Sequence, residues 1–205
     1  MDQGRWTALW HRLGAQGDGL PVFTRLAAAY AEPARAYHTA EHIDDCLTHL
    51  DRVQVLTQHA DEVEAGIWFH DAVYVAARTD NEERSAELAR DSLLDAGVAA
   101  TVARRIGTLV LATRHDAAPA ESDAALLCDI DLSILGRSPE VFDEFERRIR
   151  QEYAWVPEAA YRSTRSRILG EFLQRPRIYQ TGWFRQRYEA QARANLERLI
   201  RSLAG

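Results

Sequence analysis

Apolar residues recur along this chain at steps of three and four almost throughout, and no stretch sustains the alternation of a half-buried strand. The pattern predicts an all-α protein, with helices near 5–13, 21–31, 38–57, 61–75, 81–96, 99–114, 122–135, 139–153, 157–174 and 182–203. Punctuation agrees: Gly97 and Gly136 follow helical runs, Ser138 can cap a helix with Pro139 in its first turn, and Pro157 and Pro176 flank a long one. No internal repeat, low-complexity segment or linker interrupts the series. With 205 residues and 46% hydrophobic content, one core and a single domain over 1–205 are expected. The polar stretches 76–81 (AARTDN) and 115–122 (HDAAPAES) are the loops expected to border a site.

Three places break the apolar pattern with chemistry. The helix over 38–57 puts Ile43, Cys46, Leu47, Leu50 and Val53 on one stripe, and His42 borders it one turn before Cys46. His38 lies a turn earlier on the same side, while His49 and His59 read as surface residues. In the next helix His70 and Asp71 interrupt AGIWFHDAVYVAA (65–77), where Asp71 is the one formal charge. A buried carboxylate needs a cation, either an arginine or a metal ion. The residue pattern leaves both open. Neighbours on a helix diverge by about 100°, so His70 and Asp71 can share an ion only if it sits over the shoulder between them. In AALLCDIDLSILG (124–136), Asp129 and Asp131 lie among apolar residues and about 200° apart on a helix, so one can face a site while the other makes a separate bond. Two imidazoles and two carboxylates form a donor set suited to Mn, Fe, Ni, Co or Zn, with room for water.

Charge narrows the options. The net charge is -6 and lysine is absent. Residues 1–136 hold 11 Arg and 22 acids, and residues 137–205 hold 14 Arg and 9 acids. An acidic chain argues against stable nucleic-acid binding. The C-terminal arginines are mostly expected on solvated helix faces, with a few able to reach an anionic substrate. Cys46 and Cys128 are too few for a disulfide framework and sit where reduced, buried thiols belong. The opening MDQGRWTALW lacks a signal-peptide pattern, and no segment has the roughly 18 consecutive apolar residues of a membrane span. A cytoplasmic protein is expected. Exposed Trp or Leu on the terminal helices would support a homodimer.

The ordered segments YHTAEHI (37–43), FHDAVY (69–74), DNEERSAELA (80–89), ATRHD (112–116) and CDIDLSILG (128–136) resemble the HD-domain superfamily of metal-dependent phosphohydrolases, in particular its predicted phosphohydrolase branch in bacteria. RIYQTGWF (177–184) and EAQARANLERLI (189–200) are similar as well. The resemblance implies an HD-like helical bundle with a metal site between core helices. It implies His42, His70 and Asp71 as ligands and Asp131 as the fourth, with Asp129 the competing choice. Several HD relatives carry a histidine where this chain has Asn81, which favours one metal ion over two. The expected reaction is hydrolysis of a small phosphate ester, such as a nucleotide, by metal-bound water. Asp71 would also orient the water, and Glu82, or Glu83 beside it, would be the second carboxylate. His115, Arg78 or Arg114 would contact the phosphate. The alternatives are a regulatory HD module that binds metal and nucleotide without turnover, and a structural helical protein whose core acids are salt-bridged. The substrate itself is not encoded in any glycine loop or aromatic-basic platform.

Overall fold

The computed structural model describes residues 1–119 and 122–204. Positions 120 and 121, within the loop expected to border a site, lie outside the described residues. Among the described residues all regular structure is helical. No helix among the described residues is long and apolar enough to cross a membrane. Contacts divide the chain into two compact units, Met1–Cys128 and Asp129–Gly205.

The first unit comprises α1 (Gln3–Arg12), α2 (Leu20–Tyr30), α3 (Ala40–Val53, continued by a 3-10 turn over Gln54–Leu56), α4 (Ala60–Phe69), α5 (Asn81–Asp95), α6 (Ala100–Ala112) and most of α7 (Ser122–Asp131). The division falls inside α7, so Asp131 rides on a helix whose first turns belong to this unit. Helix α4 packs against α1, α3, α5 and α6. Every residue from Glu62 to Phe69 is buried, which is why the helix from Ala65 on is apolar on all sides rather than along one stripe. Trp6 of α1 meets Trp68 and Phe69 edge-on, with ring centroids 5.4 and 5.8 Å away. The two carboxylates that α4 takes inside are both paired. Glu62 forks onto Arg105 of α6, and Glu64 bridges Arg5 and Arg12 of α1 at 2.7 and 2.8 Å.

Both ends of α4 are held. Asp123 accepts the amides of Gln58 and His59, at 2.7 and 2.9 Å, just ahead of the first turn. Sequence periodicity extends this helix to residue 75, yet it stops at Phe69. Its last carbonyls find donors that do not continue the helix: Ile67 accepts the His70 imidazole, Trp68 the Tyr30 hydroxyl and Phe69 the Ala72 amide. Buried Arg35 then donates to the Asp71 and Ala72 carbonyls at 2.6 and 3.3 Å. On the other side, the Ser85 hydroxyl bonds both backbone groups of Val73, and the Asn81 amide does the same for Val75.

The second unit holds the end of α7, a 3-10 turn over Leu132–Gly136, α8 (Pro139–Glu152), α9 (Glu158–Gln174) and α10 (Gly182–Ala204). Helix α10 packs on α9 and on the 3-10 turn. Asn195, 1% exposed, donates to the carbonyls of Leu135 and Arg137 at 2.9 Å each and so ties the turn to α10. Gly136 lies against α10 so closely that a Cβ there would stand 2.5 Å from the Tyr188 Cβ and 2.7 Å from its carbonyl oxygen. Backbone on both sides must move to admit a methyl group. Gly136→Ala is therefore expected to lower stability by about 1–3 kcal/mol, read as a fall in the denaturant midpoint with an unchanged slope.

Candidate metal centre

His42 is on the first turn of α3, beside the core, and is 5% exposed. His70 caps the C-terminus of α4 and Asp71 opens the turn after it. The three side chains converge. His42 Nε2 lies 3.1 Å from His70 Nε2, and Asp71 Oδ2 lies 3.0 Å from His70 Nε2 and 3.7 Å from His42 Nε2. His70 keeps helical backbone angles (φ -58°, ψ -37°), and its Nε2 meets Asp71 Oδ2 over the shoulder between the two residues. Asp131, at the last position of α7, joins the same imidazoles in a group whose ligand atoms all lie within 4.8 Å of one another. This His42–His70–Asp131 group could hold a metal ion.

The hydrogen bonding around His70 fixes which nitrogen faces the centre. Its Nδ1 lies 2.9 Å from the Ile67 carbonyl, which can only accept, so Nδ1 carries a proton and Nε2 turns inward. A nitrogen lone pair there would face both an imidazole nitrogen and a carboxylate oxygen at about hydrogen-bond distance. Such an arrangement requires positive charge among the three atoms, as a proton or as a shared cation. The geometry accommodates a metal. Edges of 3.0, 3.1 and 3.7 Å define a triangle whose corners lie about 1.9 Å from its centre. That separation suits nitrogen and oxygen ligands to one ion, which bind at roughly 2.0–2.2 Å.

Electrostatics sets Asp71 apart from the other buried acids. Glu62, Glu64 and Glu146 are held by guanidinium groups, and Asp123 and Asp129 by backbone amides. Among the described residues no guanidinium reaches the Asp71 carboxylate, because Arg35 takes its backbone carbonyl instead. Burial pushes the Asp71 carboxyl up. The charges of His70 and His38, a hydrogen bond from His70 and the charge of His42 outweigh it and hold the group well below the usual carboxylate range. His38 stacks on Tyr74, with centroids 4.1 Å apart, and meets His42 edge-on at 6.2 Å.

Asp129 and Asp131 diverge as their spacing requires. Asp129, 1% exposed, accepts the amides of Gln180 and Thr181 at 2.8 and 2.7 Å, immediately before α10. It is an anchor for the start of that helix. The neighbouring carboxylates Glu82 and Glu83, in the first turn of α5, also separate. Glu83 pairs with Arg114, whereas Glu82 is half-buried and pushed above the ordinary glutamate range. Burial contributes most to that rise, and the charges of Asp71 and Glu83 add to it. Arg114 also pairs with Asp116 at 2.8 Å, and Arg78 with Asp80 at 2.6 Å. His115 is half-buried in a left-handed turn after α6 (φ 57°), next to the Arg114 that bonds Glu83.

Two features escaped the sequence reading. His49 is buried rather than on the surface. Its position three residues after Cys46 and four before Val53 places it on the core stripe, so periodicity alone could have located it. Arg35 supports the His-Asp turn from a loop, where no spacing rule marks it.

Asp129→Ala should cost about 1–3 kcal/mol per orphaned amide and leave metal content unchanged. Asp131→Ala should lower metal content with a smaller change in melting temperature. Thermal melts and elemental analysis of both purified variants test the assignment. No family model, curated protein or solved structure matches the chain, so its chemistry is argued from its own residues.

Proposed function

We propose that this chain is an HD-type, metal-dependent phosphohydrolase acting on a small phosphate ester such as a nucleotide. The observation that carries the reading is the convergence of His42 Nε2, His70 Nε2 and Asp71 Oδ2 within 3.7 Å, around an aspartate that no guanidinium neutralises among the described residues. His42, His70, Asp71 and Asp131 are the side chains that would hold one divalent cation, drawn from Mn, Fe, Ni, Co, Zn and Mg. Such an ion acidifies a coordinated water and polarises a phosphoryl oxygen.

The protein's own groups supply the rest. Asp71 orients the attacking water. Glu82, pushed up by burial and by the Asp71 charge, takes the water proton as the oxygen bonds to phosphorus and the ester P–O bond breaks. His115 contacts the phosphate. Support for pairing Glu82 with His115 comes from the Glu83–Arg114 ion pair, which ties the start of α5 to the end of α6.

Asp71→Ala is expected to remove bound metal and to reduce phosphatase activity by at least about a hundredfold while far-UV circular dichroism stays helical. Retained activity would refute the proposal. Stoichiometric metal and tight nucleotide binding without phosphate release across a phosphorylated-metabolite panel would instead identify a regulatory module. As a base, Glu82 must be ionised, and its folded-state pKa is raised, so the acid limb of kcat/KM is expected above the ordinary glutamate value of about 4.3. Glu82→Gln should abolish that limb along with most of kcat, whereas a limb that persists in the variant would assign it to another group.

A further inference from the structure

A cavity of about 360 Å³ lies in the first unit beside the turn that carries Asp71. Leu26 and Ala29 of α2, Val73 of that turn and Leu88 of α5 give it an apolar lining, and Leu26 and Leu88 are buried. Its size falls within the range of small-molecule sites. Two arginines break the apolar wall. Arg25 is exposed and has no carboxylate partner among the described residues, whereas most arginines of the chain are paired. Arg35 lines the cavity with a side chain only 1% exposed.

Arg35 makes four hydrogen bonds within the protein. A guanidinium has five N–H groups. Its Nε–H goes to Glu32, the two on Nη1 go to the His38 and Asp71 carbonyls, and one on Nη2 goes to the Ala72 carbonyl. The second N–H on Nη2 has no acceptor among the described residues. A buried charged donor without an acceptor is costly. The Tyr30 and Tyr74 rings, 5.3 and 5.7 Å from the guanidinium carbon, hold the group in place. Against two guanidinium charges the cavity wall offers one carboxylate, Glu32, so one positive charge is left uncompensated.

We infer that this cavity is a binding site for a small organic monocarboxylate. Its carboxylate accepts from Arg25 and from the spare N–H of Arg35, and its apolar body lies on Leu26, Val73 and Leu88. One negative charge matches the one left over, and the apolar lining favours an acid with a larger hydrophobic body over acetate. The inference stands on the first unit alone and does not depend on the phosphohydrolase reading. An occupant would also touch the guanidinium that bonds the Asp71 carbonyl, which links the cavity to the candidate metal centre.

The test is calorimetric titration of the full chain with 3-phenylpropionate, its uncharged amide and acetate. One-to-one binding of 3-phenylpropionate is expected, with the amide and acetate each at least about tenfold weaker. Arg25→Gln, at an exposed position, should weaken the acid about fivefold or more without changing the melting temperature. Ala29→Trp, which fills the half-buried wall, should abolish binding. Equal affinity for acid and amide, no binding of the acid, or full affinity in the Arg25→Gln protein would each overturn the inference.

Discussion

Two imidazole nitrogens and a carboxylate oxygen cannot share a buried space a few ångströms across unless positive charge lies among them. That constraint governs the region around His42, His70 and Asp71. Arginine satisfies it elsewhere in the protein, where Glu62, Glu64 and Glu146 each meet a guanidinium. At Asp71 the nearest guanidinium turns to the main chain, and the acid is left to the histidines. The protein thus has the means to neutralise a core acid and uses a different one at this point.

The placement of the group follows from the way α4 ends. The helix does not run on to residue 75. Instead the His70 ring closes onto its own preceding turn, Tyr30 occupies the Trp68 carbonyl, and Arg35, Asn81 and Ser85 capture the backbone beyond. Local hydrogen bonding that stops a helix is also what aims its terminal side chains. Helix α4, which packs against four other helices of the first unit, therefore ends in the candidate ligands.

Much of this was legible in the residue pattern because helical periodicity is strong and local. Each predicted helix has a counterpart, and the isolated acids in apolar runs marked the positions that needed partners. The 200° divergence of Asp129 and Asp131 gave two roles but could not say which residue had which. That choice depends on the backbone amides of Gln180 and Thr181, some fifty residues away in sequence. The early end of α4 was hidden for a similar reason: the Tyr30 hydroxyl that takes the Trp68 carbonyl, and Arg35 that holds the turn beyond, lie outside any window that periodicity examines.

The absence of lysine has a physical consequence for how the fold responds to alkali. The buried glutamates Glu62, Glu64 and Glu146 take arginine as their cation, through Glu62–Arg105 and Glu64–Arg5 in the first unit and Glu146–Arg165 in the second. A guanidinium keeps its proton beyond about pH 12, so raising the pH through the range where ammonium groups discharge leaves these bridges intact. These bridges open from the acid side, where carboxylates lose their charge, and their tolerance of pH is correspondingly lopsided.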